Sequence, residues 1–518
     1  MMQDTEEQLA IYDWVRYDDG NLVIRARAGA GKTTTLVNLS KLLNQTKSAT
    51  FLAYNKHIQQ ELKGKQQKDI LSSKIFIYTS HGLGFAAINK KYPNIEVDEF
   101  KADKVIARNI KTWDMSQVGN PIEYVGNLKK MIDLIRLTLT FDKMKVIDLA
   151  DKHDIKFDLE DVGRCFLVLE QMLNDKKTID FTDMVYLPVA DKKIWLFPQD
   201  YILVDEAQDL SKAQHELIRK MVKWDKETKL PTTRMIFCGD DLQAIYGFTG
   251  ADTNSFENLT RFPNTKVLPL TISFRCAKNI IKEANKIVPD IRAREDAPDG
   301  IVRTGSAIDE AGDGDFILAR KTLPLVRLFF TFLVMKKKAT IKGSDFGINL
   351  IHMIEDVPSL GQLGAKLTNN LNAFREKLER SGVFNVSEHT GYIMLSDKIE
   401  VLKFLMKMVN TVDELKQAIL GIFRDNVGDG ITLSTVHKAK GLEADRVFIV
   451  RPDEMPMGVA KGWMYQQEMN LKYIAITRAK RELIYDVEWR EDQVHESVSN
   501  TGSTRLNTSR IETVTMGG

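Results

Sequence analysis

Ala26-Arg27-Ala28-Gly29-Ala30-Gly31-Lys32-Thr33, together with Asp205 and Glu206 far downstream, are the residues whose types and spacing could do chemistry. Glycines within such a loop let the backbone curl until its N–H groups face phosphate oxygens, at the positive end of the helix that follows. Lys32 is placed to reach β- and γ-phosphates, and the Thr33 hydroxyl to ligate Mg²⁺. The usual pattern opens on glycine where this chain has Ala26. Two adjacent carboxylates add what a phosphate loop lacks. One can hold the metal, and the other can orient or deprotonate a water for attack on the γ-phosphate. The pair behind a phosphate loop reads as nucleoside triphosphate hydrolysis.

These groups need elements that aim them. Leu22-Val23-Ile24 predicts a short strand before the loop, and a helix is expected after it through Leu43. Tyr201-Ile202-Leu203-Val204 is an uninterrupted apolar run, as in a strand buried on both faces. It delivers Asp205 and Glu206 at its C-terminal end, where parallel α/β sheets bind ligands. Met235 to Cys238 is a further apolar strand, and the Gln243 amide after it can reach a γ-phosphate or the attacking water.

A chain of 518 residues suggests three or four domains, since a domain averages about 150 residues. Its 73 basic and 71 acidic residues leave a net charge of +2, so any nucleic-acid surface must be a local stripe. The three cysteines, Cys165, Cys238 and Cys276, have no CxxC spacing. They read as buried reduced thiols, not a zinc site or a disulfide framework. The polar, acidic start from Met1 to Leu9 is no signal peptide, and no apolar run is long enough to span a bilayer.

Strand-like runs fill 20–85 and 200–275, whereas 86–178 repeats its apolar residues at helical spacing, as in Met131, Leu134 and Ile135. Strand character returns at Phe316-Ile317-Leu318 and from Ile431, with a second helical stretch over 350–425. The run Lys336-Lys337-Lys338 follows a helical pattern over Leu325 to Val334 and reads as a solvated helix end. From Val487 the chain is rich in Ser, Thr, Asn and Gly, and disorder is expected.

The order and content of these motifs resemble superfamily 1A DNA helicases of the UvrD/Rep/PcrA type, close to the F-box DNA helicase and phage branch. The likeness covers nearly all of Thr5 to Tyr485. Beside the loop, Leu52 to Lys56, Thr79 to Gly84, Asp205 to Asp209 and Gly239 to Phe248 match the first motor half. Leu270 to Arg275, Ile317 to Arg320, Lys342 to Phe346, Thr435 to Glu443 and Asn470 to Lys480 match the second.

The resemblance implies an α/β protein with two RecA-like parallel-sheet motor domains, each carrying a mainly helical insertion. The first motor domain would take 1–85 and 179–270, with its insertion at 86–178. The second would take 271–349 and 426–486, with a small insertion at 350–425, leaving 487–518 as tail. It implies ATP and Mg²⁺ as cofactors. Gln8 would read the adenine edge; Ala28, Gly29, Ala30, Gly31, Lys32, Thr33 and Thr34 would cradle phosphate; Thr33 and Asp205 would hold Mg²⁺. Phe274 would pack on adenine, where Tyr is more usual, and Glu443 would lie near the ribose. Lys32, Asp205, Glu206, Gln243, Arg275 and Arg478 would carry catalysis, the two arginines stabilising the transferring phosphoryl group from the second domain.

Tyr54, Asn55 and His81 fall in motifs that line the single-strand track, and Tyr246 and Phe248 would stack on bases at about 1–3 kcal/mol each. Relatives usually have Trp-Arg where this chain has Phe248-Thr249, so a cationic contact is lost there. His437 and Lys438 are candidates for DNA or domain-interface contact. The implied activity is ATP-dependent 3′→5′ translocation on single-stranded DNA with duplex unwinding. A translocase that strips proteins from DNA, and a clamp gated by ATP, stay open as alternatives. The expected partners are single strands and single–double-strand junctions, then single-strand-binding, replication or recombination proteins. No membrane is expected, a monomer suffices, and the compartment would be cytoplasm, nucleoid or, for a phage-encoded chain, host cytoplasm, with the nucleus left open. The stretch after Lys480 shows no metal-ligand carboxylate cluster, so a fused nuclease is not expected.

Overall fold

The computed structural model describes residues 4–44, 46–68, 74–116, 118, 121–153, 155, 157–245, 247, 250, 255–355, 357–380, 386–388, 390–423, 430–458, 460 and 462–487. The chain divides into two compact units, Met1–Thr271 and Ile272–Gly518.

The first unit begins with α1 (Glu6–Tyr17), β1 (Asn21–Ala26), α2 (Lys32–Ser40), β2 (Ala49–Ala53), α3 (Lys56–Gln67), β3 (Ile75–Thr79) and α4 (Ser80–Lys91). A mostly helical stretch follows: β4 (Glu96–Val97), α5 (Lys101–Asn109), α6 (Pro121–Thr138), α7 (Lys143–Lys152), α8 (Leu159–Asn174), β5 (Thr178–Ile179) and α9 (Phe181–Ala190). It closes with β6 (Tyr201–Val204), α10 (Lys212–Arg219), β7 (Arg234–Gly239), α11 (Ser255–Thr260) and β8 (Thr265–Leu270). Six strands pair in parallel in the order β3-β2-β6-β7-β1-β8. Strands β1, β2 and β7 are buried along nearly their whole length because both faces of the sheet are covered. Leu22, Ile24, Phe51 and Leu203 pack against α1 and α2 on one side. Val23, Leu52, Ile202 and Phe237 pack on the other with side chains from α4, α9 and α10. Helices α5 to α8 have a core of their own, built from Ile106, Met131, Ile135, Cys165 and Val168. The short β4–β5 pair ties this stretch at Glu96↔Thr178.

The second unit contains β9 (Ile272–Ser273), α12 (Lys278–Ala284), β10 (Arg292–Ala293), β11 (Ile301–Thr304), α13 (Ala307–Glu310), β12 (Phe316–Ala319), α14 (Thr322–Val334), β13 (Ala339–Lys342) and α15 (Ser344–Ile354). It continues with α16 (Leu360–Arg380), α17 (Thr390–Met406), α18 (Val412–Ile422), β14 (Ile431–Thr435), β15 (Ala444–Val450), α19 (Trp463–Ile476) and β16 (Ala479–Asp486). Its six-stranded sheet runs β11-β16-β15-β12-β14-β13, again parallel. Leu363, Leu402, Leu405, Leu415 and Ile419, from α16 to α18, share one continuous core with Ile317, Phe329 and Leu433 of the sheet and α14.

Two sheets of parallel strands flanked by helices form two RecA-like α/β folds. Two local expectations need adjustment, and a third is untested. Helix α2 ends at Ser40, short of Leu43, as the chain tightens into a turn with Lys41 N–H bonded to Asn38 C=O. Lys337 is not simply solvated: its ammonium donates to the Ala311 carbonyl at 2.8 Å and lies over the Phe332 ring, while Lys336 and Lys338 are exposed. The tail expected to be disordered lies, past Val487, outside the described residues. All three cysteines are free and buried. Among the described residues, no helix is long and apolar enough to cross a membrane.

Candidate nucleotide and nucleic-acid sites

Parallel pairing brings the C-terminal ends of β1, β7 and β6 side by side, with β7 in the middle. The loop after β1 turns through Gly29 and Gly31, whose φ angles of 71° and 79° suit glycine and strain other residues. Gly31 precedes α2, whose first-turn N–H groups have no intrahelical acceptor and open toward the loop. From the end of β6, the Asp205 carboxylate accepts from the Thr33 hydroxyl at 2.7 Å. The Glu206 carboxylate lies 3.0 Å from the Lys32 ammonium. Glu206 takes a left-handed backbone conformation (φ 52°), which turns its side chain back to the loop.

Burial works against the charge of Lys32, but Glu206, Asp240 and Asp205 outweigh it and hold the ammonium above its ordinary range. Burial and the adjacent Glu206 push Asp205 up to about 6, against the pull of Lys32 and Thr33. A divalent cation would relieve that crowding. The hydroxyl of Thr33 and the carboxylate of Asp205 are hard oxygen donors set side by side, which fits Mg²⁺. The buried ammonium of Lys32, turned onto a carboxylate, fits a site for phosphate. Gln8 is buried in α1, where its carbonyl accepts from Thr5 N–H at 2.9 Å and its amide donates to the Thr35 hydroxyl at 3.1 Å. It therefore stands against α2, with one amide hydrogen beyond these bonds.

A second set of bonds was not legible from the motifs. The Gln243 amide donates to the Asp240 carboxylate at 2.7 Å, and Arg27 donates to Asp240 at 3.1 Å and to Asp241 at 2.6 Å. Gln208 donates to Glu206 at 2.5 Å and accepts from the Asp240 N–H at 3.0 Å. Loop, acid pair and Gln243 thus belong to one buried network centred on Asp240, whose side chain is wholly buried. Arg27 and Asp240 are separated by 213 positions, and no spacing rule pairs them. The only available hint was a charged residue inside each of two otherwise small or apolar motifs.

In the second unit, the Arg275 guanidinium pairs with Glu443 and donates to the Thr477 carbonyl at 3.3 Å. Glu443 also holds Lys480 at 2.9 Å, and its carboxyl sits below its ordinary range because these cations outweigh its burial. Arg478 is buried and donates to the carbonyls of Ile474 and Leu442, each at 3.0 Å. Burial and the charge of Arg275 push it down to about 9, and no carboxylate among the described residues pairs with it. A buried guanidinium satisfied by dipoles alone would be stabilised by an incoming anion. Phe274 is half-buried, with the Arg294 guanidinium 5.6 Å from its ring centre. Arg275, Glu443 and Arg478 lie at the starting ends of β15 and β16, where Ala444 N–H bonds to Arg478 C=O.

The family comparison fits both halves. The UvrD/REP helicase N-terminal domain matches residues 6–264, and the UvrD-like helicase C-terminal domain matches 353–487. The chain belongs to the UvrD/Rep helicase family. F-box DNA helicase protein 1 of Schizosaccharomyces pombe is 25% identical over 93% of this chain and 57% of its own length. F-box DNA helicase 1 of Gallus gallus is 26% identical over 93% of this chain and 48% of its own. ATP-dependent DNA helicase Rep of Buchnera aphidicola (subsp. Acyrthosiphon pisum) is 25% identical over 53% and 44% respectively. This UvrD/Rep-family chain spans about half the length of these relatives.

Among the candidate DNA contacts of this UvrD/Rep-family chain, Tyr54, Asn55 and His81 follow the C-terminal ends of the adjacent strands β2 and β3. Tyr54 is exposed after β2. Asn55 is the N-cap of α3, its carbonyl accepting from Ile58 N–H at 2.9 Å, so part of its polarity serves the helix. His81 is exposed in the first turn of α4. Tyr246 and Phe248 lie outside the described residues. His437 and Lys438 follow the C-terminal end of β14, the opposite end of the second sheet from Arg478 and Glu443. Burial, Arg320 and Lys438 push His437 down to about 3, so its imidazole is neutral and offers phosphate no charge. Lys438 is ion-paired with Asp345.

Proposed function

We propose that this chain is an ATP-dependent DNA helicase that translocates 3′→5′ on single-stranded DNA and separates duplexes. The observation that carries the reading is the convergence of Lys32 on Glu206 and Thr33 on Asp205 at one end of a parallel sheet, in a chain of the UvrD/Rep family. The loop amides and Lys32 would bind the triphosphate, while Thr33 and Asp205 would hold Mg²⁺, which supplies charge neutralisation of the phosphates. Glu206 would orient and deprotonate the attacking water. Gln243 would sense the γ-phosphate and pass its presence through Asp240. Arg275 and Arg478 would stabilise charge on the transferring phosphoryl group. Tyr54, Asn55, His81, Tyr246, Phe248 and Lys438 would follow the single strand, His437 acting as a neutral hydrogen-bonding group. The separate core of α5 to α8 supports 86–178 as an insertion in the first motor domain.

A second reading has one observation in its favour. Helices α16 to α18 are merged into the core of the second sheet, which leaves little free-standing accessory structure there. That suits a translocase that strips proteins and barely unwinds.

Strand displacement on partial duplexes carrying a 3′ or a 5′ tail, with ATP and Mg²⁺ and Lys32→Ala as control, tests both. Unwinding of the 3′-tailed substrate alone is the expected result. Preference for the 5′ tail would refute the polarity. ATP turnover stimulated by single strands without unwinding would favour stripping.

A further inference from the structure

The first unit carries an aromatic and basic surface at the end of its sheet opposite the phosphate loop. Past α9, Ile194 and Leu196 are buried in the core and Trp195 and Phe197 are turned outward. These two rings are 56% and 57% exposed and meet edge to face, with centroids 4.4 Å apart. The chain then enters β6 at its N-terminal end. Gln199 N–H bonds to Met221 C=O at 2.8 Å, which sets Pro198 beside the segment leading into β7. There Trp224 is 55% exposed, and Pro198, Trp224, Lys223, Lys226, Asp225 and Glu227 line an open cavity of about 610 Å³. Because the strands are parallel, this face and the phosphate loop are a strand length apart, roughly 13–20 Å.

Single exposed aromatics are ordinary, but Trp195 and Phe197 form a touching exposed pair, and the next residue, Pro198, lines the cavity with Trp224. The surroundings of the Trp195–Phe197 pair are basic. Lys90, at the end of α4, lies 4.2 Å from the Phe197 ring centre and 5.9 Å from that of Trp195. Lys192 and Lys193 directly precede the aromatic segment, and Lys226 lines the cavity. Among the described residues, Lys90, Lys192, Lys193 and Lys226 take part in no ion pair. Of the nearby acids, Glu227 lines the cavity, exposed, and the others are engaged within the fold. Asp191 accepts from the Tyr92 hydroxyl at 2.6 Å and faces Lys176, Asp200 pairs with Lys223 at 2.7 Å, and Asp225 caps its own loop.

We propose that this surface docks an acidic peptide segment of a partner protein, with apolar or aromatic side chains seated against Trp195 and Phe197. Carboxylates of the segment pair with Lys90, Lys192 and Lys193. A single-stranded nucleic acid would need open ring faces for base stacking. Here the rings stand at 63° to each other and Lys90 covers the face of Phe197, so the geometry suits side-chain insertion better than base stacking.

The test uses the full chain and fluorescein-labelled twelve-residue peptides, each with two phenylalanines and zero, three or six aspartates, plus a six-lysine counterpart. Affinity should rise with aspartate number, fall with salt, and drop at least tenfold in Lys90→Glu and in Trp195→Ala. Emission from Trp195, absent in the Trp195→Ala control, should shift on binding. ATP turnover stimulated by oligo-dT should match the unaltered chain in both variants. Affinity that ignores aspartate number, or variants that bind as the parent does, would overturn the proposal. Weaker oligo-dT binding by the variants would overturn it in favour of a nucleic-acid surface. Peptide binding is read without ATP, so a failure here is separate from a failure of the helicase reading.

Discussion

Gln208 joins the acid pair to the neighbouring strand by accepting the Asp240 N–H at 3.0 Å while its amide donates to Glu206. The carboxylate proposed for water activation is thus held by a side chain from outside the phosphate loop. Gln208→Ala should lower kcat for ATP by about tenfold or more while changing KM little, since orientation matters most in the transition state. Steady-state ATP turnover at saturating oligo-dT gives both numbers. An equal change in KM alone would mean that Gln208 only shapes nucleotide binding.

The same contact explains Gly239. A Cβ there would meet Gln208 Oε1 at 2.4 Å and the Gln208 backbone N at 3.1 Å. Gly239→Ala should destabilise the first unit by about 1–3 kcal/mol. Adding Gln208→Ala should restore part of that loss, because the shortened side chain vacates the nearer contact. A double-mutant cycle by urea denaturation measures it, and strict additivity would show that the backbone contact alone governs the site.

Lys32 balances three carboxylates at once, those of Glu206, Asp240 and Asp205. Lys32→Ala should cut ATP turnover by about a hundred- to a thousandfold, the range for losing one preorganised electrostatic contact. Turnover within tenfold of the parent would remove Lys32 from phosphate contact.

Arg478 bonds two carbonyls that lie in different directions, which a branched planar guanidinium can reach and a single ammonium cannot. Arg478→Lys should therefore fall nearly as far as Arg478→Ala, with a loss of about a thousandfold in kcat if the group stabilises the transferring phosphoryl. Binding of a labelled non-hydrolysable ATP analogue should change much less. Recovery of activity in the lysine variant would show that charge alone suffices.

His437 gives the second unit an acid sensitivity. Its folded-state value near 3 lies below the ordinary imidazole value of 6.5. Between those limits the unfolded chain binds a proton that the folded one refuses, so stability is retained above pH 6.5 and lost as pH falls. His437→Gln should lose about 1–2 kcal/mol less than the parent between pH 7 and pH 5. Parallel urea titrations at both pH values compare them, and identical losses would place the sensitivity elsewhere.

The phosphate-loop pattern was legible in the sequence because it is local: the turn through Gly29 and Gly31 and the short reach of Lys32 and Thr33 depend on neighbouring residues. The sequence also determined the parallel-sheet class, since uninterrupted apolar runs such as Tyr201 to Val204 are stable only when covered on both faces. Tertiary structure decided which charges meet. Strand order sets β7 between β1 and β6 and so brings Asp240 to Arg27 and Gln208, partners with no signature in spacing. It decided that His437 is neutral, since burial beside Arg320 and Lys438 fixes its charge. It decided, too, that Trp195 and Phe197 face outward. Alternation along Ile194 to Phe197 allows either pair to be buried, and only the position of the core chooses between them.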